Sequence, residues 1–294
     1  MQRSNVRFNA SSKSAVQAFT PRLRLAMLAS AMAFALLGAS AAMAQTAAAP
    51  AKAGEQKAYV PDVGQEGKDV IWVPTPQSLV DKMLDMAKVT PKDRLMDLGS
   101  GDGRTVITAA QRGLTAQGIE YNPDLVELSR QNAKRAGVAD RATFVAQDLF
   151  TTDLSQADVI TMFLLSTINE KLRPKLLELP AGTRVVSNTF RMGDWEPDAS
   201  ETVTENCQTY CTALLWIVPA KVQGKWDLGG QTLQLDQHYQ MLSGKLGSVP
   251  ISDARLDGTS ITFTADGVRY AGVVNGRTMS GTAAGKGNWQ AKRS

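Results

Sequence analysis

"MDLGSGDGRTVI", residues 96–107, limits the fold more than any other stretch of this chain. It joins a short apolar run to a helix-favouring one through Gly99, Gly101 and Gly103. Glycine lets a backbone turn sharply and approach a ligand where a Cβ would clash. A strand, a glycine-rich turn and a helix in that order open a parallel α/β unit. A helix beginning at Arg104 presents unpaired N–H groups and the positive end of its dipole, suited to a carboxylate or a phosphate. The spacing is Gly-x-Gly-x-Gly, not the Gly-x-Gly-x-x-Gly of dinucleotide binders, and no Lys-Ser/Thr pair follows as in a phosphate loop. A dehydrogenase or a nucleoside triphosphatase is therefore disfavoured.

The surrounding pattern agrees with such a unit. From Asp69 to Pro219 helical and strand patterns alternate, which predicts a mostly parallel, Rossmann-like sheet with helices on both faces. Thr75-Pro76 is expected to open the first helix as cap and first-turn proline, with Leu79, Val80, Met83, Leu84 and Ala87 on one face. "RLMDLG", "AQGIEY", "ATFVAQDLF", "ADVITMFLL" and "TRVVSNTF" read as five strands, and "ETVTENCQTYCTALLWIVPA" as a closing antiparallel hairpin, seven in all. Beyond Pro219 the runs are short, alternating and punctuated by Gly, Asp-Gly and Asn-Gly, the pattern of a small antiparallel barrel or sandwich over 220–294. Its aromatic residues Trp226, Tyr239, Phe263, Tyr270 and Trp289 read first as core and second as a ligand-binding face. Trp195 and Trp216 are expected in or near the core of the larger domain.

The N-terminus has its own signature. A basic region ends at Arg24, an apolar run covers Leu25–Leu37, and Ala42-Met43-Ala44 is a small-x-small site. This predicts a signal peptide over 1–44 cleaved after Ala44, and an exported, periplasmic protein. The alternatives are an uncleaved leader that anchors the chain at a membrane, or a transit peptide. Residues 45–68 are expected to be a flexible linker. Residues 1–44 carry five basic and no acidic side chains, so the whole-chain charge of +4 leaves −1 for residues 45–294. The basic character disappears with the leader, and no nucleic-acid partner is expected.

Three acids end predicted strands, where ligands bind in open α/β sheets. Asp97 precedes the glycine turn. Glu120 is placed to accept from vicinal ribose hydroxyls, and Asp148 from an adenine amino group. His238 is the single histidine and lies in the C-terminal domain, so neither a histidine base nor a Cys/His metal site is expected. Cys207 and Cys211 are the only cysteines; in an exported chain they can close a disulfide across the hairpin turn, and otherwise they are two buried thiols.

At this point residues 69–219 resemble the class I, seven-strand S-adenosylmethionine-dependent methyltransferases. "VPTPQSLVDKML", "DLGSGDGRTVITAA", "DLF", "FLLSTINEKLRPKLL" and "TRVVSNTFRMGDWEPD" are similar to one branch, the mitochondrial lysine N-methyltransferases acting on the ATP synthase c-subunit and the adenine nucleotide translocase. The resemblance implies S-adenosylmethionine as cofactor, with Asp97, Gly99, Ser100, Gly101 and Gly103 at its methionine end. It implies Glu120 at the ribose and Asp148 with the Leu149 backbone at the adenine. Trp72, Pro74, Phe163, Leu164, Ser166 and Asn169 would face the methyl group and the acceptor. The acceptor it implies is a protein lysine amine. The alternatives are a small-molecule or lipid O/N-methyltransferase, and an exported binding protein that keeps the fold without catalysis.

Overall fold

A computed structural model describes residues 59–68 and 70–294; the leader and the linker as far as residue 58 lie outside the described residues. Five apolar runs form parallel strands: β1 (Arg94–Leu98), β2 (Thr115–Glu120), β3 (Ala142–Ala146), β4 (Val159–Met162) and β5 (Arg184–Asn188). The hairpin supplies β6 (Ala199–Thr202) and β7 (Thr212–Ile217), which complete one sheet in the order β3-β2-β1-β4-β5-β7-β6. Successive strand residues point to opposite faces. Val159, Val186 and Leu215 accordingly pack against α1 (Gln77–Met86), α2 (Arg104–Gln111) and α3 (Pro123–Arg135). Ile160, Val185 and Leu214 pack on the other face with Leu172 and Leu176 of α4 (Ser166–Leu176). The strand order reverses between β1 and β4, so a crevice opens at their carboxyl ends. No helix among the described residues is long and apolar enough to cross a membrane.

The expected cap at Thr75 is a correction. Helix α1 starts at Gln77 with Pro76 at its cap position and no capping side chain. Thr75 is buried and used elsewhere: its Oγ1 accepts from Asn188 Nδ2 at 3.3 Å, and its carbonyl from Arg104 Nη1 at 2.9 Å. Tertiary bonds win over the local one. Asn122 does cap, its Oδ1 accepting from Asp124 N at 2.9 Å ahead of α3.

The C-terminal segment is a closed barrel and not a sandwich. Its eight antiparallel strands are β8 (Gly224–Leu228), β9 (Gln231–His238), β10 (Met241–Leu246), β11 (Val249–Asp257), β12 (Ser260–Ala265), β13 (Val268–Asn275), β14 (Thr278–Ala283) and β15 (Gly287–Arg293). Strand β15 pairs back onto β8, so no edge is left to template pairing with another chain. Trp226, Phe263, Tyr270 and Trp289 fill the interior with Leu233, Leu235 and Leu256, and the cross-strand pair Phe263–Tyr270 stacks at 4.6 Å. Tyr239 departs from the expected core. It lies on the ring of Trp195 at 5.7 Å, and its hydroxyl donates to Asp194 at 3.0 Å.

Barrel and sheet meet over that tryptophan. Trp195 is fully buried, and its Nε1 donates to Gln240 Oε1 at 2.9 Å, while Gln240 Nε2 donates to the Glu196 carbonyl at 2.8 Å. Arg255 reaches Asp198 at 2.7 Å. Burial nevertheless pushes the Asp198 carboxyl above the usual range, against the pull of the Ile217 N–H and of Arg255.

Candidate active site

The glycine turn is built by backbone bonds. Gly99 N and Ser100 N both donate to the Ile119 carbonyl, at 2.9 and 3.0 Å, and Gly103 N donates to Ser100 O at 2.9 Å. Gly101 (φ +54°) and Gly103 (φ +83°) take left-handed backbone, which a side chain strains. A Cβ on Gly101 would lie 2.6 Å from Trp72 Nε1; one on Gly103 would lie 2.8 Å from the Phe144 ring and 2.9 Å from Ser129 Cβ. Gly101 therefore admits the segment that covers the cleft, and Gly103 lets β3 and α3 close on the turn.

Each predicted acid stands at this crevice with a different partner. Asp97 is buried, with Thr161 Oγ1 donating to it at 2.7 Å. Burial pushes its carboxyl up to about 7; Thr161 opposes the shift, and the negative charges of Glu120 and Asp102 add to it. Glu120 is locked by two backbone donors, Gly101 N at 2.9 Å and Asn122 N at 3.0 Å. Asp148 pairs with Lys68 at 2.5 Å and accepts from Phe150 N at 2.8 Å; the Lys68 ammonium holds its carboxyl below the usual range. Lys68 Nζ also lies 4.7 Å from the centre of the Tyr121 ring.

Trp72, Pro74, Asp97, Gly99, Ser100, Gly101, Glu120, Asp148, Leu149, Phe163 and Leu164 all line one cleft. Three predicted residues do not. Gly103 sits at the start of α2 and serves packing. Ser166 is the first residue of α4, outside the lining. Asn169 is buried, and its Nδ2 donates to the Phe190 carbonyl at 3.1 Å, so it braces the chain after β5 and does not face the cleft.

The expected linker is also shorter than its predicted end at residue 68. Gly64 N donates to Trp72 O at 2.8 Å and Trp72 N to Gln65 O at 2.9 Å, and this folded strap places Gln65–Lys68 in the cleft wall. Sequence reasoning missed Lys68 because nothing local marks it. It also missed Tyr121, although that residue directly follows Glu120 in "GIEYN".

The lining suits a cationic ligand with a polar tail. Glu66, Asp97, Asp102, Glu120 and Asp148 outnumber Lys68 and Arg104, and Arg104 is already committed to Asp102 at 2.6 Å. The Ser100 side chain is buried beneath the turn against β2, where a Cβ on Gly118 would lie 2.5 Å from its Oγ. Acidic walls and a buried carboxyl without a basic partner at the floor fit an amine-bearing ligand with hydroxyls, such as an amino acid conjugated to a nucleoside.

The sheet order and this crevice define a class I S-adenosylmethionine-dependent methyltransferase. The profile of a family described as the ANTKMT methyltransferase domain matches residues 97–199. A protein-lysine N-methyltransferase of Saccharolobus islandicus is 44% identical over 142 residues, 47% of this chain and 84% of that protein, and the chain belongs to its family. The adenine nucleotide translocase lysine N-methyltransferase of Mus musculus is 40% identical over 41% of this chain and 53% of its own length, so the chain spans about half of that relative. Among solved structures, an RNA methyltransferase from Salinibacter ruber in complex with S-adenosyl-L-homocysteine is 48% identical, covering 51% of this chain and 96% of that one with a TM-score of 0.48.

Proposed function

We propose that this chain transfers the methyl group of S-adenosylmethionine to the ε-amine of a protein lysine. The observation that carries the reading is a complete, acid-lined cofactor cleft in a chain that covers 84% of a protein-lysine N-methyltransferase. Asp97 and the turn from Gly99 to Gly101 would hold the methionine end, Glu120 the ribose hydroxyls, and Asp148 with Leu149 the adenine. Bound there, S-adenosylmethionine would supply an electrophilic methyl group, and the acceptor amine would have to reach it uncharged, its proton passing to solvent. Alignment and desolvation by Phe163, Leu164 and the strap are the chain's own contribution.

Incubating the enzyme with labelled cofactor and a cell extract, with and without later nuclease treatment, should mark protein bands that survive the nuclease, and fragment mass spectrometry should place the methyl on lysine. Label confined to RNA or to lipid would overturn the lysine reading. An RNA acceptor fits poorly in any case, because residues 45–219 hold 23 acidic against 18 basic side chains. Glu120→Ala should weaken cofactor binding by roughly ten- to a hundredfold in calorimetry, the effect of about 1–3 kcal/mol from lost buried hydrogen bonds. Unchanged affinity would remove Glu120 from the ribose.

We place the enzyme outside the cytosol. The leader pattern supports this, as does the bond between Cys207 and Cys211, since disulfides persist in oxidising compartments. N-terminal sequencing should find Gln45 first. A chain starting at Met1 and sedimenting with membranes would select the anchored alternative.

A further inference from the structure

Three rings stand together at the rim of the cleft, and the methyl-donor site does not use two of them. Phe163 follows β4 and lines the cleft; Phe190 follows β5; Tyr210 lies in the loop between β6 and β7. Their centres are 5.3 Å (Phe163–Tyr210), 5.8 Å (Phe190–Tyr210) and 6.0 Å (Phe163–Phe190) apart. Phe163 and Phe190 are half-buried, whereas Tyr210 is 43% exposed, so the cluster opens to solvent on one side and to the cleft on the other.

Phe190 and Tyr210 are held by separate devices. Asn169 Nδ2 and Ser187 Oγ both donate to the Phe190 carbonyl, at 3.1 and 2.8 Å. Tyr210 has left-handed backbone (φ +56°), which a tyrosine does not adopt without external constraint, and the Cys207–Cys211 disulfide closes the loop around it. The bond encloses Gln208, Thr209 and Tyr210 and so restrains the short loop that carries the ring. Three rings within reach of one another present π faces that attract an ammonium and apolar flanks that fit an alkyl stem.

We infer that Phe163, Phe190 and Tyr210 form the acceptor subsite, which takes a primary alkylammonium side chain, and that the Cys207–Cys211 bond positions Tyr210 for it. The inference rests on the methyltransferase reading and deepens it. Tyr210 and Phe190 belong to it through geometry alone, since neither lies in the strap or in the segment after β4.

The test needs no knowledge of the natural acceptor. Two cofactor analogues carry nitrogen in place of sulfur, with a four-carbon arm in place of the methyl group; one arm ends in an amine and the other in a hydroxyl. Calorimetry on the disulfide-bonded full chain gives the affinity ratio of the pair, with S-adenosylhomocysteine as the reference ligand. The wild type should favour the amine arm by about tenfold. Tyr210→Ala and Phe190→Ala should each erase most of that preference, Tyr210→Phe should keep it, and Cys207→Ser with Cys211→Ser should reduce it. All variants should bind S-adenosylhomocysteine as the wild type does, which also shows that they are folded. An amine preference left intact by Tyr210→Ala, or absent from the wild type, overturns the subsite. Failure of the wild type to bind S-adenosylhomocysteine at all would sink the methyltransferase reading itself.

Discussion

Asp97→Asn should make the unliganded protein more stable at pH 8 and remove its cofactor affinity. The carboxyl of Asp97 is buried at the floor of the cleft with one donor, Thr161 Oγ1, and its pKa stands at about 7. The folded chain therefore holds a proton between about pH 4 and pH 7 that the unfolded chain has released, so stability falls as pH rises through that window and is level above it. The penalty at pH 8 is at most on the order of 4 kcal/mol. Asparagine carries no charge to desolvate, and its oxygen can still accept from Thr161. Melting scans should show Asp97→Asn several degrees above the wild type at pH 8, with the gap narrowing as pH falls and closing only below about pH 4. Binding moves the other way. The carboxylate is proposed to face the cationic amine of the cofactor, so affinity of the wild type should rise from pH 6 to pH 8 and the variant should lose roughly a hundredfold. A variant that melts lower at pH 8, or binds as well as the wild type, would show that Asp97 is structural.

This site was legible in the sequence because its parts are local. The turn from Gly99 to Gly103, the acid closing β2 and the acid after β3 each announce themselves within a few residues of a strand end. What was illegible depends on distant partners. Thr75 reads as a cap, yet Asn188 and Arg104 claim it. Asn169 reads as substrate-facing because it follows "FLLST", yet its helix turns it inward onto the Phe190 carbonyl. Lys68 lies 80 residues from Asp148, in a stretch whose composition resembles a linker. The barrel showed its alternation and its turns, but alternation does not say whether β15 returns to β8, which separates a barrel from a sandwich.

The same distinction decides what happens when the chain is cut between its two halves. The sequence alone suggests two nearly independent domains divided near residue 220, and the cleft indeed contains no residue of the barrel. Their stabilities, however, are not symmetric. The barrel keeps every strand paired, and most of its core comes from its own residues, so residues 220–294 expressed alone should fold and melt cooperatively. The other half should not. Removing the barrel uncovers Trp195, deletes Gln240 from both the Trp195 indole and the Glu196 carbonyl, and strips Arg255 from Asp198, which is 8% exposed at its side chain. Losing the cover of a buried tryptophan costs about 2–3 kcal/mol. Two lost hydrogen bonds add about 1 kcal/mol each, and an unpaired, largely buried carboxylate adds more. The sum, roughly 5 kcal/mol, rivals the whole stability of an ordinary domain. A chain ending at Val222 should therefore give aggregates or a broad, low transition, and added S-adenosylhomocysteine should sharpen that transition by mass action, since the cleft survives in the folded fraction. A truncated chain that melts within a few degrees of the full protein would mean that the contact over Trp195 contributes little, and that the barrel is attached without being needed for stability.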